Sequence, residues 1–168
     1  MISGVFAAAF VRGVQSQGVA ATVKHYCCNG KELNRRNSDS RVSQRALREI
    51  YLRGFEYAVK KAKPWCVMTA YNLVNGVRSS ANWEAIEGIL KGEWGFRGLV
   101  MTDWHAYSTV TEDILAGSHV KMPETCPGDR LNQKPNFTME AALEEGTLTR
   151  PILLAAARQV LLMMDHFE

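Results

Sequence analysis

"GLVMTDWHAY", residues 98–107, is the stretch whose reading decides the fold. Gly98 precedes an apolar run, Leu99-Val100-Met101, and the run ends at Asp103, with Trp104 and His105 directly after it. A short, near-continuous apolar run suits a strand buried on both faces, as in a parallel sheet. A carboxylate at the end of such a strand is held rigidly and partly dehydrated. That suits a nucleophile or a general acid/base. Aspartate in this position also serves as the N-cap of a following turn, and position alone leaves both roles open.

Three more β-prone segments read in the same way: Val19 to Lys24, Cys66 to Ala70 and, more weakly, His119 to Met122. Helical patterns separate them. One helix is expected from about Ser43 to Lys61, where Leu47, Ile50, Tyr51, Gly54, Phe55, Ala58 and Val59 follow 3.6-residue periodicity and Pro64 closes the run. Further helices are expected from Asn82 as an N-cap, from Thr109 to Gly117, from Thr138 to Glu145, and from Arg150 to His166 after an N-cap at Thr149. "MISGVFAAAFVRGVQSQG" reads as a helix ended by Gly18. Strands alternating with helices predict an α/β fold with right-handed crossovers. Polar residues cluster after the strands, at the edge that carries active sites in a (β/α) barrel and ligands in an open sheet.

The chain has 168 residues, 46% hydrophobic and 22% charged, with a formal net charge of +3. This is ordinary globular composition for one domain. The basic residues are scattered, so no nucleic-acid footprint is expected. No apolar run reaches the length of a membrane span, and the N-terminus lacks the basic region of a signal peptide. Cys27, Cys28, Cys66 and Cys126 form no CxxC pair. They read as free buried thiols in a reducing, cytoplasmic compartment. Asn136-Phe137-Thr138 matches a glycosylation sequon, a pattern common by chance.

Candidate chemistry follows the strand ends. Lys24 and His25 can hydrogen-bond hydroxyls of a polar ligand or tune a nearby carboxylate; the alternative is a surface pair. Arg35 lies in a polar loop after a strand, where binding groups and solvated arginines both occur. Tyr71 can donate to a substrate oxygen or simply fill core, and Met68 suits packing. Trp104 offers a flat apolar face that complements the C–H face of a sugar, although tryptophan also fills cores. His105 and His119 have no metal-ligand partners at useful spacing, so no metal is expected. Phosphate-binding glycine loops and a Gly-x-Ser-x-Gly elbow are absent from the sequence.

Four stretches occur in order: "KHYCCNGKELNRRNSDSRVSQRALREIYLRGFEYAVK" (24–60), "VMTAYNLVNG" (67–76), "LKGEWGFRGLVMTDW" (90–104) and "LAGSHVKMPE" (115–124). Together they resemble the N-terminal catalytic barrel of glycoside hydrolase family 3, on its β-glucosidase branch. The resemblance covers essentially the whole chain. It implies a partial (β/α)8 TIM-type barrel of about four parallel strands, a single fragment spanning residues 1–168. It implies Asp103 as catalytic nucleophile and Lys24, His25, Arg35, Met68, Tyr71 and Trp104 around the sugar. The reaction it implies is retaining hydrolysis of β-linked glucosides or oligosaccharides, without a cofactor. Such hydrolysis needs a second carboxyl group about 5–5.5 Å from the first. In this branch of the family that group resides on a C-terminal α/β domain, so this chain is expected to carry the nucleophile without its partner. Weak or no activity alone is then expected, with the remaining barrel half and C-terminal domain as partners. A non-catalytic sugar-binding or self-associating half-barrel, paired in a homodimer, is the alternative function. Gly30-Lys31, His119 and Glu124 depart from the family pattern.

Overall fold

The computed structural model describes residues 1–123 and 138–167. Glu124, Cys126 and the first two sequon positions lie outside them. The element order is α1 (Ile2–Gln15), β1 (Thr22–Tyr26), β2 (Asp39–Ser40), α2 (Gln44–Ala46), a π-turn (Leu47–Tyr51), α3 (Arg53–Ala62), β3 (Cys66–Thr69), β4 (Leu73–Val74) and β5 (Val77–Arg78). There follow a π-helical segment (Glu84–Glu93), β6 (Leu99–Met101), α4 (Val110–Leu115), α5 (Met139–Glu144) and α6 (Arg150–Met164).

Among the described residues, the main sheet is parallel, in the order β1-β3-β6. Met68 pairs with Met101 in register, and Val67 with Val100. Every residue of β3 is buried, as its apolar run predicts. Two expected strands are corrected. The first begins at Thr22 rather than Val19 and extends to Tyr26, so Lys24 and His25 lie within it. Gly18, with φ of +71°, ends the α1 exit turn, and Val19 remains exposed in the connection. β1 alternates between exposed and half-buried because it has only one strand neighbour here. The expected fourth strand, His119 to Met122, reduces to one parallel bridge between Met101 and Val120.

The helix expected from Ser43 to Lys61 is interrupted. Ser43 caps its start through its hydroxyl, which accepts the Ala46 N–H at 3.2 Å. The Leu52 N–H then bonds the Leu47 carbonyl, five residues back. This extra residue rotates the following face by about 100°. Leu52 therefore points into the core, while Ile50 and Tyr51, both expected inside, are exposed. The next segment keeps Asn82 as its cap, with Oδ1 accepting the Ala85 N–H at 3.0 Å. Ile86, Ile89 and Leu90 are buried as expected. They pack with Tyr26, Val67 and Val100 in the principal core.

A small second sheet, β2-β4-β5, was not foreseen. β4 and β5 form a hairpin across Asn75-Gly76. Both turn residues have positive φ, +52° and +88°, as a type I′ turn requires. Asp39 Oδ1 accepts the Gly76 N–H, tying the loop that carries Arg35 to the hairpin.

Gly98 opens β6 beneath the Trp65 carbonyl. A Cβ there would overlap that backbone oxygen and the Phe96 ring. At the other end of the strand, the loop 103–109 is anchored by a wholly buried ion pair. Lys121 Nζ lies 2.7 Å from Asp113 Oδ2 and donates to the Ser108 and Ala106 carbonyls at 2.6 and 3.2 Å. Ser108 donates to the other Asp113 oxygen and shares a 2.7 Å hydroxyl contact with Ser80. Burial pushes the Asp113 carboxyl up, while Lys121 and the serine hydroxyls pull it down. α4 begins with a capping box, in which Thr109 and Glu112 satisfy each other's backbone N–H groups.

His119 supports β6 from below. Its Nδ1 accepts the Val100 N–H at 3.0 Å, and its Nε2 lies 3.1 Å from Lys91 Nζ. Burial, with the Lys91 charge, lowers its pKa from 6.5 to about 3.

Two outcomes follow. Lys121→Met strands a buried carboxylate and is expected to cost about 3–5 kcal/mol in denaturant unfolding, whereas Lys121→Met with Asp113→Leu recovers most of that loss. The second concerns acid. Between pH 6.5 and about 3, unfolded His119 binds a proton that the folded chain does not. Its contribution is complete above that window and falls by about 1.4 kcal/mol per pH unit inside it. Unfolding measured at about pH 7.5 and about pH 5 should show a larger loss for the natural chain than for His119→Gln.

Candidate active site

Asp103 follows β6, at the C-terminal edge of the parallel sheet, and is 7% exposed. Its Oδ1 accepts the Trp104 N–H at 2.8 Å, which fixes the carboxylate rotamer. Its Oδ2 faces His25 Nε2 across 3.4 Å. This oxygen is oriented and only lightly solvated, a geometry suited to attack on an electrophile held above the sheet edge.

His25 comes from β1, two strands away in the sheet order. Burial lowers its pKa most, the Asp103 charge raises it, and Lys24 and Arg35 lower it. The ring is thus biased toward the neutral form, able to offer an N–H to a ligand hydroxyl. Lys24 is exposed at the edge of β1 and acts on His25 through its charge. Among the described residues no hydrogen bond joins Lys24 to Asp103.

Tyr71, just beyond β3, completes the near wall. It is 7% exposed, and burial together with the Asp103 charge raises its pKa. Arg35 stacks over the Tyr71 ring with Cζ 4.8 Å from the centroid, and its Nη1 meets Glu32 Oε2 at 2.9 Å. Met68 is 9% exposed on β3 and contributes packing beneath the site. Trp104 is 54% exposed, so its indole is available to a ligand rather than spent on the core. His105 lies beside it with the ring centroids 6.3 Å apart. The structure therefore gathers Asp103, His25, Tyr71 and Arg35 closely, with Trp104 adjoining and Lys24 at the margin. Among the described residues, no group of three His, Cys, Asp or Glu side chains is placed to hold a metal ion.

Three features escaped the sequence reading. The Lys121–Asp113 pair supports the loop after Asp103. The Asn75-Gly76 hairpin has a readable signal, an Asn-Gly dipeptide between Leu-Val and Val-Arg. Arg36, Arg78 and Tyr107 form a cluster against Tyr71, for which no local motif exists.

Residues 1–160 match the model for the "Glycosyl hydrolase family 3 N terminal domain". The chain belongs to this family. As a family 3 chain it is 42% identical over 165 residues to a β-glucosidase of Rhizobium radiobacter, covering 98% of this chain and 19% of that protein. It is 43% identical over 130 residues to an exo-α-(1→6)-L-arabinopyranosidase of Bifidobacterium breve, covering 77% and 17%. Its fold matches β-glucosidase 3B from Thermotoga neapolitana, solved with glycerol, at TM-score 0.91 and 44% identity, covering 97% of this chain and 23% of that one. This family 3 chain thus spans about one-fifth of the length of these relatives.

The candidate site carries its own electrostatic signature. Asp103→Asn removes the charge that raises the His25 pKa, so the His25 titration should move further below 6.5, as read by NMR. An unchanged titration would show that the two groups are not coupled.

Proposed function

We propose that this chain is part of the catalytic barrel of a retaining, β-glucosidase-type glycoside hydrolase, with Asp103 as its nucleophile. The observation that carries the reading is the Asp103 carboxylate, buried at the sheet edge, held by the Trp104 N–H and faced by His25. In this reading Asp103 Oδ2 attacks the anomeric carbon and forms a glycosyl ester as the leaving-group oxygen takes a proton from an acid. Water, deprotonated by the same group, then releases the sugar and restores Asp103. His25, Lys24 and Arg35 bind the sugar hydroxyls, Tyr71 and Met68 line the pocket, and Trp104 covers the C–H face of the ring. The acid/base carboxyl belongs to a part of the enzyme beyond these 168 residues, consistent with the share of its relatives that the chain spans. The three parallel strands form one portion of the barrel. No helix of the described residues is long and apolar enough to cross a membrane. The cytoplasmic placement rests on the cysteines, of which Cys27, Cys28 and Cys66 are buried and free.

A second reading, self-association, has support from α1. Ile2, Phe6 and Phe10 on α1 are each more than 70% exposed, and among the described residues β1 stands at an end of the main sheet. A homodimer in this reading covers that edge and those side chains. Sedimentation separates the two: a well-folded monomer counts against pairing.

For the isolated chain, hydrolysis of an aryl β-glucoside is expected to be negligible, while a β-glucosidase inhibitor such as a glucose-derived imidazole still binds and quenches Trp104. Asp103→Asn is expected to weaken that binding by about tenfold, the loss of one charge-assisted contact. Robust turnover abolished by Asp103→Asn would place a complete acid/base pair in this chain and overturn the partial-barrel reading. Absence of inhibitor binding would overturn the glycosidase reading itself.

A further inference from the structure

Next to the neutralised Arg35 lies an arginine of different character. The Arg36 guanidinium sits between two tyrosine rings, its Cζ 5.2 Å from the Tyr71 centroid and 5.3 Å from the Tyr107 centroid. Its Nη1 donates to the Tyr107 hydroxyl at 3.2 Å. Arg78 backs this arrangement. It donates to the Arg36 and Tyr71 carbonyls, and its Cζ lies 5.6 Å from the Tyr107 ring. Arg35 is paired with Glu32, but among the described residues neither Arg36 nor Arg78 has a carboxylate within ion-pair distance. Phenol oxygens satisfy hydrogen bonds without cancelling charge. A guanidinium carries five N–H donors in a planar fork, and the tyrosines occupy only part of it.

Location gives this cluster its meaning. Tyr71 is the shared neighbour: it feels the Asp103 charge and has Arg36 over its ring. An anionic ligand group seated on Arg36 would stand one tyrosine ring from the Asp103 carboxylate. Without cations there, a substrate carrying a negative charge would be repelled by that carboxylate. With them, the fork offers a carboxylate two parallel hydrogen bonds in a half-enclosed setting.

We propose that Arg36, aimed by Tyr107 and backed by Arg78, forms an anion subsite beside Asp103, and that the glycosides this site accepts carry a carboxylate. The proposal rests on the glycosidase reading and adds the substrate class to it. The carboxylate resides either on the sugar, as in a β-glucuronide, or on the aglycone.

Calorimetric binding to the 168-residue chain tests it with matched pairs. Methyl β-D-glucuronide is compared with methyl β-D-glucoside, and 4-carboxyphenyl β-D-glucoside with phenyl β-D-glucoside; benzoate alone is the fifth ligand. One carboxylated member is expected to bind about tenfold tighter than its neutral counterpart, and which one does so identifies where the charge resides. The ratio should fall to about one in Arg36→Met and in part with Tyr107→Phe, which leaves the charge but removes its aiming contact. Arg36→Lys should keep some preference, since charge remains without the fork. Equal binding within both pairs, or a ratio that survives Arg36→Met, overturns the anion subsite and leaves the glycosidase reading standing. Benzoate binding through Arg36 with no glycoside bound overturns the glycosidase reading, and this substrate class with it. Binding of none of the five overturns both. The Tyr107→Phe series decides the matter if Arg36→Met fails to fold.

Discussion

The loop that presents Asp103 depends on one buried charge pair. Lys121 and Asp113 are both shut off from water, and each is surrounded by groups that satisfy it. A lysine there without Asp113 would face a large desolvation cost, as would the aspartate without Lys121. The pair is stable only when the 103–109 loop, the start of α4 and the chain leaving β6 all occupy their places. Its main contribution is thus conformational definition, since two hydrophobic residues of similar size would restore most of its stability. Through the Ala106 and Ser108 carbonyls it ties the loop after Asp103 to α4, which limits the paths open to that loop.

The electrostatics of the site grade outward from that point. Near Asp103, burial dominates: it lowers His25 and raises Tyr71, and so favours neutral donors around a single carboxylate. Farther out the arginines take over, stacked on tyrosine faces where cation–π attraction replaces ion pairing. Neutral donors thus lie closest to the carboxylate, and cations lie beyond them.

Much of this was legible in the sequence where one residue's neighbours in the chain decide its fate. The apolar run before Asp103, the cap at Asn82 and the helix starts at Ser43, Thr109 and Thr138 are local signals, and the corresponding elements formed; Thr149 stands at the N-cap of α6 as expected but makes no side-chain cap bond. The π-turn at 47–51 was not legible, because periodicity assumes a constant 3.6 residues per turn and one extra residue breaks the phase. That is why Ile50 and Tyr51 were expected inside and Leu52 was not. Strands of two residues, such as β4 and β5, are too short to show alternation, leaving only their turn as a cue. In the candidate site, Asp103 and Tyr71 directly follow strands of one sheet, His25 lies near the end of a third, and Arg35 comes from the loop after it. The partners of Lys121, Arg36 and Tyr107 are set by packing between distant segments, which no spacing rule encodes. Lys121 even lies in a stretch that read as strand.

Gly98 has a consequence at the far end of its strand. Its missing side chain lets β6 run directly under the Trp65 carbonyl, and the hydrogen bond from the Leu99 N–H to that oxygen starts the ladder with β3. A strand is stiff along its length, so a displacement imposed at its first residue is delivered to its last. The position of the Asp103 carboxylate is in this sense calibrated five residues upstream, on the opposite side of the sheet. Tolerance to substitution should then track leverage rather than distance: a methyl group added at the foot of β6 disturbs the Asp103 carboxylate more than many changes made beside it.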